Sequence, residues 1–276
     1  MVLASVLSVQ SGAALATTLF DRVGPAGAVF LRTLFGALIL LALGRGRLPR
    51  LRGERLRDVA VFGAALAAMN LSFYASIDRL PLGVAVTIEF VGPLGLAIFG
   101  SRRRRDVLWA LLAAAGIVLL SDGFGDGGID PLGAALALLA GCFWALYIVQ
   151  GARVGRGVPG LGGLTGALVF STLLVAPLGI AQGGSELLAP GVLLAGLAVG
   201  ALSSAIPYGL ELEALRRLPH AVFGVMMSLE PALAALVGFV ALSQDLAAVE
   251  VVAIGLVVVA SAGALRAAGA PAPRDA

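Results

Sequence analysis

The chain predicts an all-α integral membrane protein, with ten transmembrane helices in two inverted five-helix repeats. Three observations carry that prediction. First, 59% of its 276 residues are apolar, 13% are charged and the mean hydropathy is +1.02, which is more apolar surface than one soluble core could hide. Second, the apolar runs come at the length of a bilayer crossing, about 20 residues. Third, the chain echoes itself: DRLP at 78 to 81 followed by Glu89 returns as RRLP at 216 to 219 followed by Glu230.

The ten runs are 2 to 20, 25 to 44, 59 to 77, 82 to 100, 107 to 121, 131 to 150, 160 to 181, 190 to 212, 221 to 242 and 247 to 265. The first lacks the charged head of a cleaved signal peptide and carries Gln10 between Ser8 and Ser11, which a plain anchor does not need. In the second, Arg32 sits seven residues in; a cation there either snorkels to the interface or faces a pocket, and both readings stand. Met69, Asn70, Phe73 and Tyr74 form a stripe on the third run, with an amide, a phenol and soft apolar surface. The fourth holds Glu89 at mid-depth with Pro93 one turn later. The sixth offers Trp144 and Tyr147 one turn apart, below the interfacial belt where aromatic residues gather.

The eighth and ninth runs frame the stretch around which the polar residues gather. Ser204, Tyr208 and Glu211 are spaced i, i+4, i+7 and so share one helical face, while Pro207 removes a backbone donor beside them and invites a local break. Glu230 lies ten residues beyond the basic hinge Arg216 to His220 and is followed at once by Pro231. At about 1.5 Å per residue it is roughly 15 Å deep, half of a hydrocarbon core about 30 Å thick. A carboxyl at that depth is by default a functional group.

Charge placement sets the topology. The chain has 19 basic residues, all arginine. Arg45, Arg47, Arg50, Arg52, Arg55, Arg57, Arg102 to Arg105, Arg153, Arg156, Arg216, Arg217, Arg266 and Arg274 fall in loops on one side or in the tail, against Arg22 and Arg79 on the other. The positive-inside rule makes the first side cytoplasmic and places both termini there. A nucleic-acid reading of the arginines at 102 to 105 fails, because no folded module or aromatic residue lies beside them. One cysteine, Cys142, and one histidine, His220, exclude a disulfide framework and any His-based metal or catalytic constellation, so neither cofactor nor metal is expected. An intramembrane enzyme lacks an HExxH motif or a serine with a plausible base, and a passive structural component leaves two symmetric buried carboxyls unexplained.

The echo recurs at offsets of 138 for Pro81 and Pro219 and 141 for Glu89 and Glu230. Residues 1–130 and 131–268 therefore read as two five-helix repeats, with 269–276 a short cytoplasmic tail. Five crossings per repeat invert the second copy, the logic of secondary transporters with a site near the midplane. On that reading Glu89 and Glu230 couple protons, since a carboxyl in a poorly hydrated cavity can load and release them. Gln10, Arg32, Met69, Asn70, Phe73, Tyr74, Trp144, Tyr147, Ser204, Tyr208 and Glu211 are the substrate-binding candidates, and Pro93, Pro207 and Pro231 the helix breaks. Gly196 to Gly200 and Gly151 to Gly155 are candidate close-packing faces.

The segments SVQSGAALATTLF, FLRTLFGALIL, MNLSFYASIDRLPLGVAVTIEFVGPL, CFWALYIVQG and SSAIPYGLELEALRRLPHAVFGVMMSLEPALAAL resemble the EamA family of the drug/metabolite transporter superfamily, and within it the bacterial threonine/homoserine exporters. The resemblance runs in order along nearly the whole chain. It implies ten helices in two inverted repeats and efflux of small amino acids from the bacterial inner membrane, with protons as the counter-ion and the bilayer as surroundings. Export of another small-molecule class is the alternative. The chain departs from the family at Ser243 and Gln244, where such exporters usually carry a Gly-Glu pair; the expected consequence is a lost loop charge with transport intact.

Overall fold

The structure, a computed structural model, describes residues 1–44, 51–99, 106–122, 129–158, 160–218, 223 and 226–269. The arginine-rich stretches 45–50 and 101–105, most of the acidic turn, His220 and the tail from 270 onward lie outside the described residues. Among those described, every regular element is helical. In chain order these are α1 (Val2–Thr17), α2 (Phe20–Leu43), α3 (Glu54–Ile77), α4 (Leu82–Glu89), α5 (Val91–Phe99), α6 (Asp106–Asp122), α7 (Pro131–Gly157) and α8 (Gly162–Gly183). A 3₁₀ turn (Gly184–Leu188), α9 (Pro190–Gly200), a π turn (Ala201–Ala205), α10 (Ile206–Arg217), α11 (Glu230–Leu242) and α12 (Ala248–Gly269) complete the chain.

The surface is the inverse of a soluble protein's. Large apolar side chains such as Leu173 and Val240 are 67% and 71% exposed, while Ser5, Gln10, Asn70, Ser76, Glu89 and Glu230 are buried. Chains that live in lipid distribute their residues in this way. Phe20–Leu43, Glu54–Ile77, Pro131–Gly157 and Gly162–Leu188 are each long and apolar enough to cross a membrane. Among the described residues the remaining apolar helices are shorter, so length and composition there support four crossings and the sequence-based count of ten does not follow from them alone. Three of the expected spans are interrupted, the ninth by a turn at Ser228 and Leu229 just before α11. The fourth breaks at Phe90 between α4 and α5, and the eighth passes through the π turn.

The prolines explain how the chain tolerates these breaks. Pro93 is the third residue of α5, while Pro207 and Pro231 are the second residues of α10 and α11. In a first turn the missing N–H has no intrahelical partner to lose. The expected breaks at these residues therefore lie just before them, and each proline starts the helix that follows. At Gly24 (φ 68°) the start of α2 is kinked, and the side-chain oxygen of Gln182, near the end of α8, accepts from the Ala26 N–H at 2.7 Å.

Close packing decides which helices surround the centre. Helix α4 runs antiparallel to α11, with Gly83 against the backbone of Ala235 and Leu82 beside Gly238. Farther along, a Cβ on Gly92 would overlap the Gly141 carbonyl, so α5 and α7 meet backbone to backbone beside Glu89. The Gly196 to Gly200 face packs on Leu31 and Phe35 of α2 as the sequence suggested, whereas Gly155 has nothing within 4 Å. Cys142 is exposed on α7. Helices α6 and α12 pair with each other, with Gly116 against Ala253.

Candidate functional site

Eight elements bring side chains, many of them polar, to one cavity of about 130 Å³. Helix α1 contributes Val6, Val9 and Gln10; α2 contributes Arg32; α3 contributes Met69, Asn70 and Phe73; α4 ends in it with Glu89. Trp144 and Tyr147 come from α7, Ser203, Pro207 and Glu211 from the π turn and α10, and Glu230 from the start of α11, with Met227 just before it. Glu89 is the last residue of its helix and Glu230 the first of its own. Because the two helices are antiparallel, a last residue and a first residue fall at the same end of the pair, and the two carboxyls enter the cavity together. Both are 7% exposed.

Arg32 lies inside the protein at 9% exposure. Its guanidinium stands 5.5 Å from the centroid of the Tyr74 ring, Nη1 donates to the Tyr74 hydroxyl at 3.4 Å, and Nη2 donates to the Ser203 carbonyl at 3.4 Å. Of the two sequence readings, the pocket position is the one observed. Gln10, 2% exposed, donates from Nε2 to Glu230 Oε1 at 3.1 Å. Asn70 donates to the Leu66 carbonyl at 2.7 Å, which leaves its amide oxygen and the second amide N–H as the groups that can reach a ligand. Glu211 accepts from Ser5 at 2.7 Å. The aromatic walls are braced from behind, Trp144 edge-on to Phe90 at 5.4 Å and Tyr147 against Phe62 at 4.9 Å.

Two expected lining residues are placed differently. Tyr74 is fully buried beneath Arg32 and supports it rather than lining the cavity. Ser204 turns its hydroxyl toward Gly36 of α2, and Ser203 takes its place. The cause is the π turn: it inserts about one residue per turn relative to an α-helix, so the face toward the cavity runs through Ser203, Pro207 and Glu211, with Ser203 where the α-helical spacing had put Ser204. The Tyr208 side chain lies outside the described residues. Sequence reasoning missed Val6, Val9, Ser203 and Met227, although Val6 and Met227 lie one turn before Gln10 and Glu230, a spacing that could have found them.

Two more cavities share walls with the first. One of about 300 Å³ is mostly apolar, with Phe90, Pro93, Leu94, Ile148, Phe223 and Ser261 added to the shared Trp144, Tyr147, Glu211 and Met227. The other, about 400 Å³, is bounded by Tyr147, Glu211 and the residues around Gly155 and Gly160. Tyr147 and Glu211 belong to all three, so the cavities step from the central site toward the connection between α7 and α8. The opposite end is fastened by polar contacts, Arg79 to Asp130 at 3.2 Å, Arg22 to Glu186, and Leu82 N–H to Gln244 Oε1 at 3.0 Å. No group of His, Cys, Asp and Glu that could hold a metal occurs among the described residues.

Comparison with known proteins sets this site in context. The family model described as "EamA-like transporter family" matches residues 131–266. The threonine/homoserine exporter RhtA of Escherichia coli K12 is 42% identical over 268 residues, covering 95% of this chain and 89% of the relative. RhtA of Salmonella typhimurium LT2 matches to the same extent. The uncharacterized inner membrane transporter YedA of Escherichia coli K12 is 29% identical over 85% of this chain and 78% of its own. A protein crystal structure superposes with a TM-score of 0.66 at 24% identity, covering 94% of this chain and 93% of the other, which speaks to the fold.

Proposed function

Because the chain belongs to the EamA-like transporter family, we propose that it exports small amino acids such as threonine and homoserine across the bacterial plasma membrane, by proton antiport with alternating access. In this reading ten helices cross the bilayer as two inverted repeats, residues 1–130 and 131–268, with both termini and the tail in the cytoplasm. Membership of a transporter family, rather than an enzyme family, fits a site whose groups bind and carry charge without a nucleophile and base. The observation that carries the substrate class is the chemistry of the central cavity. One guanidinium, Arg32, and the carboxyls of Glu89, Glu211 and Glu230 share a space of about 130 Å³, far smaller than the ~300–1,000 Å³ of sites that take drug-sized ligands. A zwitterion has a carboxylate for Arg32 and an ammonium for the acceptors of Asn70, Glu89 and Glu230.

Proton coupling is assigned to Glu89 and Glu230, carboxyls at the meeting point of two antiparallel helices; binding and protonation at one small site compete, and antiport needs that competition. The cavities that step toward the α7–α8 connection, together with the fastened opposite end, support a state open to the arginine-rich side. A second reading, export of an apolar small molecule, is favoured by the adjoining cavity of about 300 Å³ with Phe90, Leu94, Phe223 and Met227 on its walls. The test is efflux of labelled threonine and homoserine from cells with and without the gene. Faster efflux with the gene is expected; equal rates for both amino acids overturn the substrate assignment, and the apolar cavity then becomes the site to probe.

A further inference from the structure

Gln10 and Glu230 meet as an amide and a carboxyl, two planar groups each with two polar atoms. One pair of atoms is joined, Nε2 to Oε1 at 3.1 Å. The atoms left over on the same two groups, Gln10 Oε1 and Glu230 Oε2, are both buried and have no hydrogen-bond partner among the described residues. With the carboxyl ionised both are acceptors, and neither can satisfy the other. Buried acceptors left in that condition are rare in folded proteins. One proton removes both deficits: placed on Oε2 it makes an O–H donor for Gln10 Oε1.

We propose that in this state Glu230 is a carboxylic acid, and that Gln10 holds its proton in a ring of two hydrogen bonds, N–H to Oε1 and O–H to the amide oxygen. Charge around the pair favours the same protonation. Facing Glu230 are Glu89 at the end of α4, Glu211 on α10 and Arg32 on α2, all lining the one cavity. Helix α1 brings no titratable side chain, and on α12 the Glu250 carboxyl is engaged by the Ala247 N–H at its own helix start. Three carboxyls would therefore share one guanidinium, and neutralising one of them relieves that excess. The Gln10–Glu230 pair is then the proton store of the cycle, a role that rests on the antiport reading above. Loading moves a proton from hydronium in the cavity to Glu230 Oε2. Unloading breaks the O–H contact with Gln10 and returns the proton to water, while the N–H contact to Oε1 persists with the carboxylate.

Infrared difference spectra of the purified full chain in lipid vesicles, in H₂O and D₂O at neutral pH, test the ring. The wild type is expected to show the C=O stretch of a protonated carboxyl, displaced by deuterium. That band should vanish in Glu230→Gln, survive in Glu89→Gln, and move to higher wavenumber in Gln10→Leu, because the carbonyl loses its N–H donor. Gln10→Met gives the same readout should the leucine variant fail to fold. A band that is absent, that ignores Glu230→Gln, or that stays in place in both Gln10 variants overturns the proposal. Threonine-driven proton flux, measured on the same vesicles, separates the two readings. Coupled flux without the band response sinks the ring and leaves antiport standing, whereas the band response without coupled flux does the reverse.

Discussion

Replacing Arg32 by lysine keeps the charge and changes only how it is presented. The guanidinium is stacked on Tyr74 at 5.5 Å and steadied by two long contacts of 3.4 Å to the Tyr74 hydroxyl and the Ser203 carbonyl. Contacts of that length orient more than they bind. If the fork grips an amino-acid carboxylate, it makes two parallel charge-assisted bonds that a point-charge ammonium cannot reproduce. Losing a contact of this kind costs about 1.5 to 3 kcal/mol, which is roughly tenfold to a hundredfold in affinity. Arg32→Lys should therefore raise the half-saturating threonine concentration by at least about tenfold in counterflow with reconstituted vesicles. Tyr74→Phe keeps the ring under the guanidinium and removes one weak contact, about 0.5 kcal/mol or twofold. An unchanged value for Arg32→Lys, or a Tyr74→Phe effect as large as that of the lysine variant, would refute the carboxylate assignment.

Glu89→Gln preserves shape and hydrogen bonding but cannot titrate, so pH-gradient-driven uphill efflux should stop while exchange of threonine across the membrane continues; normal uphill pumping would remove Glu89 from the coupling scheme. Reporter enzymes active only in the cytoplasm should work when fused after Arg57, Arg156 or Arg217 and stay silent after Asp126, and activity at Asp126 would undo the inverted topology. Gly92→Val places carbon against the Gly141 backbone, so the purified protein should melt earlier, by the upper end of the ~1–3 kcal/mol typical of overpacking; Gly155→Ala, with nothing within 4 Å, should leave melting unchanged or slightly raised. The Gly133 N–H, followed by the Arg79 guanidinium and Leu132 N–H, holds the Asp130 carboxyl below its usual range. Its stabilising contribution is present above the ordinary aspartate value near 3.9 and fades as pH falls through the lower folded value. The melting difference between wild type and Asp130→Asn should accordingly shrink below about pH 4, and a difference constant with pH would count against the ion pair and cap.

What could be read from the sequence was whatever depends on type and depth. Apolar runs, arginine placement and two carboxyls at mid-depth are properties of composition along a line, and the residues they singled out largely converge on one cavity: Gln10, Arg32, Met69, Asn70, Phe73, Glu89, Trp144, Tyr147, Glu211 and Glu230 all line it. What escaped depends on local departures from the ideal helix. A period of 3.6 residues cannot foresee the π turn at Ala201–Ala205, and that turn exchanges Ser204 for Ser203. The partnership of Gln10 with Glu230 was equally hidden, because 220 residues separate them and only the packing of α1 on α11 brings them together. Tyr74 was assigned to the cavity by its spacing from Asn70, yet a tilt of one residue around α3 puts it beneath Arg32.

The departure at Ser243 and Gln244 has a structural consequence larger than a lost loop charge. Ser243 adopts φ 52°, ψ 35°, a left-handed conformation that glycine takes without strain and most other residues avoid. The glycine that the resemblance implies at this point would take that geometry without strain. Gln244 then reaches across to accept the Leu82 N–H at 3.0 Å, capping the first turn of α4. Four residues at most of any helix start lack an internal partner for their N–H groups, and this one is satisfied by the loop between α11 and α12. A glutamate here would supply the same acceptor and add a charge favourable to the helix start, worth about 0.3 to 1 kcal/mol. The amide keeps the fastening and gives up the charge. Since α4 ends in Glu89, the loop after α11 and the carboxyl at the centre of the cavity are two ends of one eight-residue helix, and any movement that opens the fastened end must either break this cap or carry Glu89 with it.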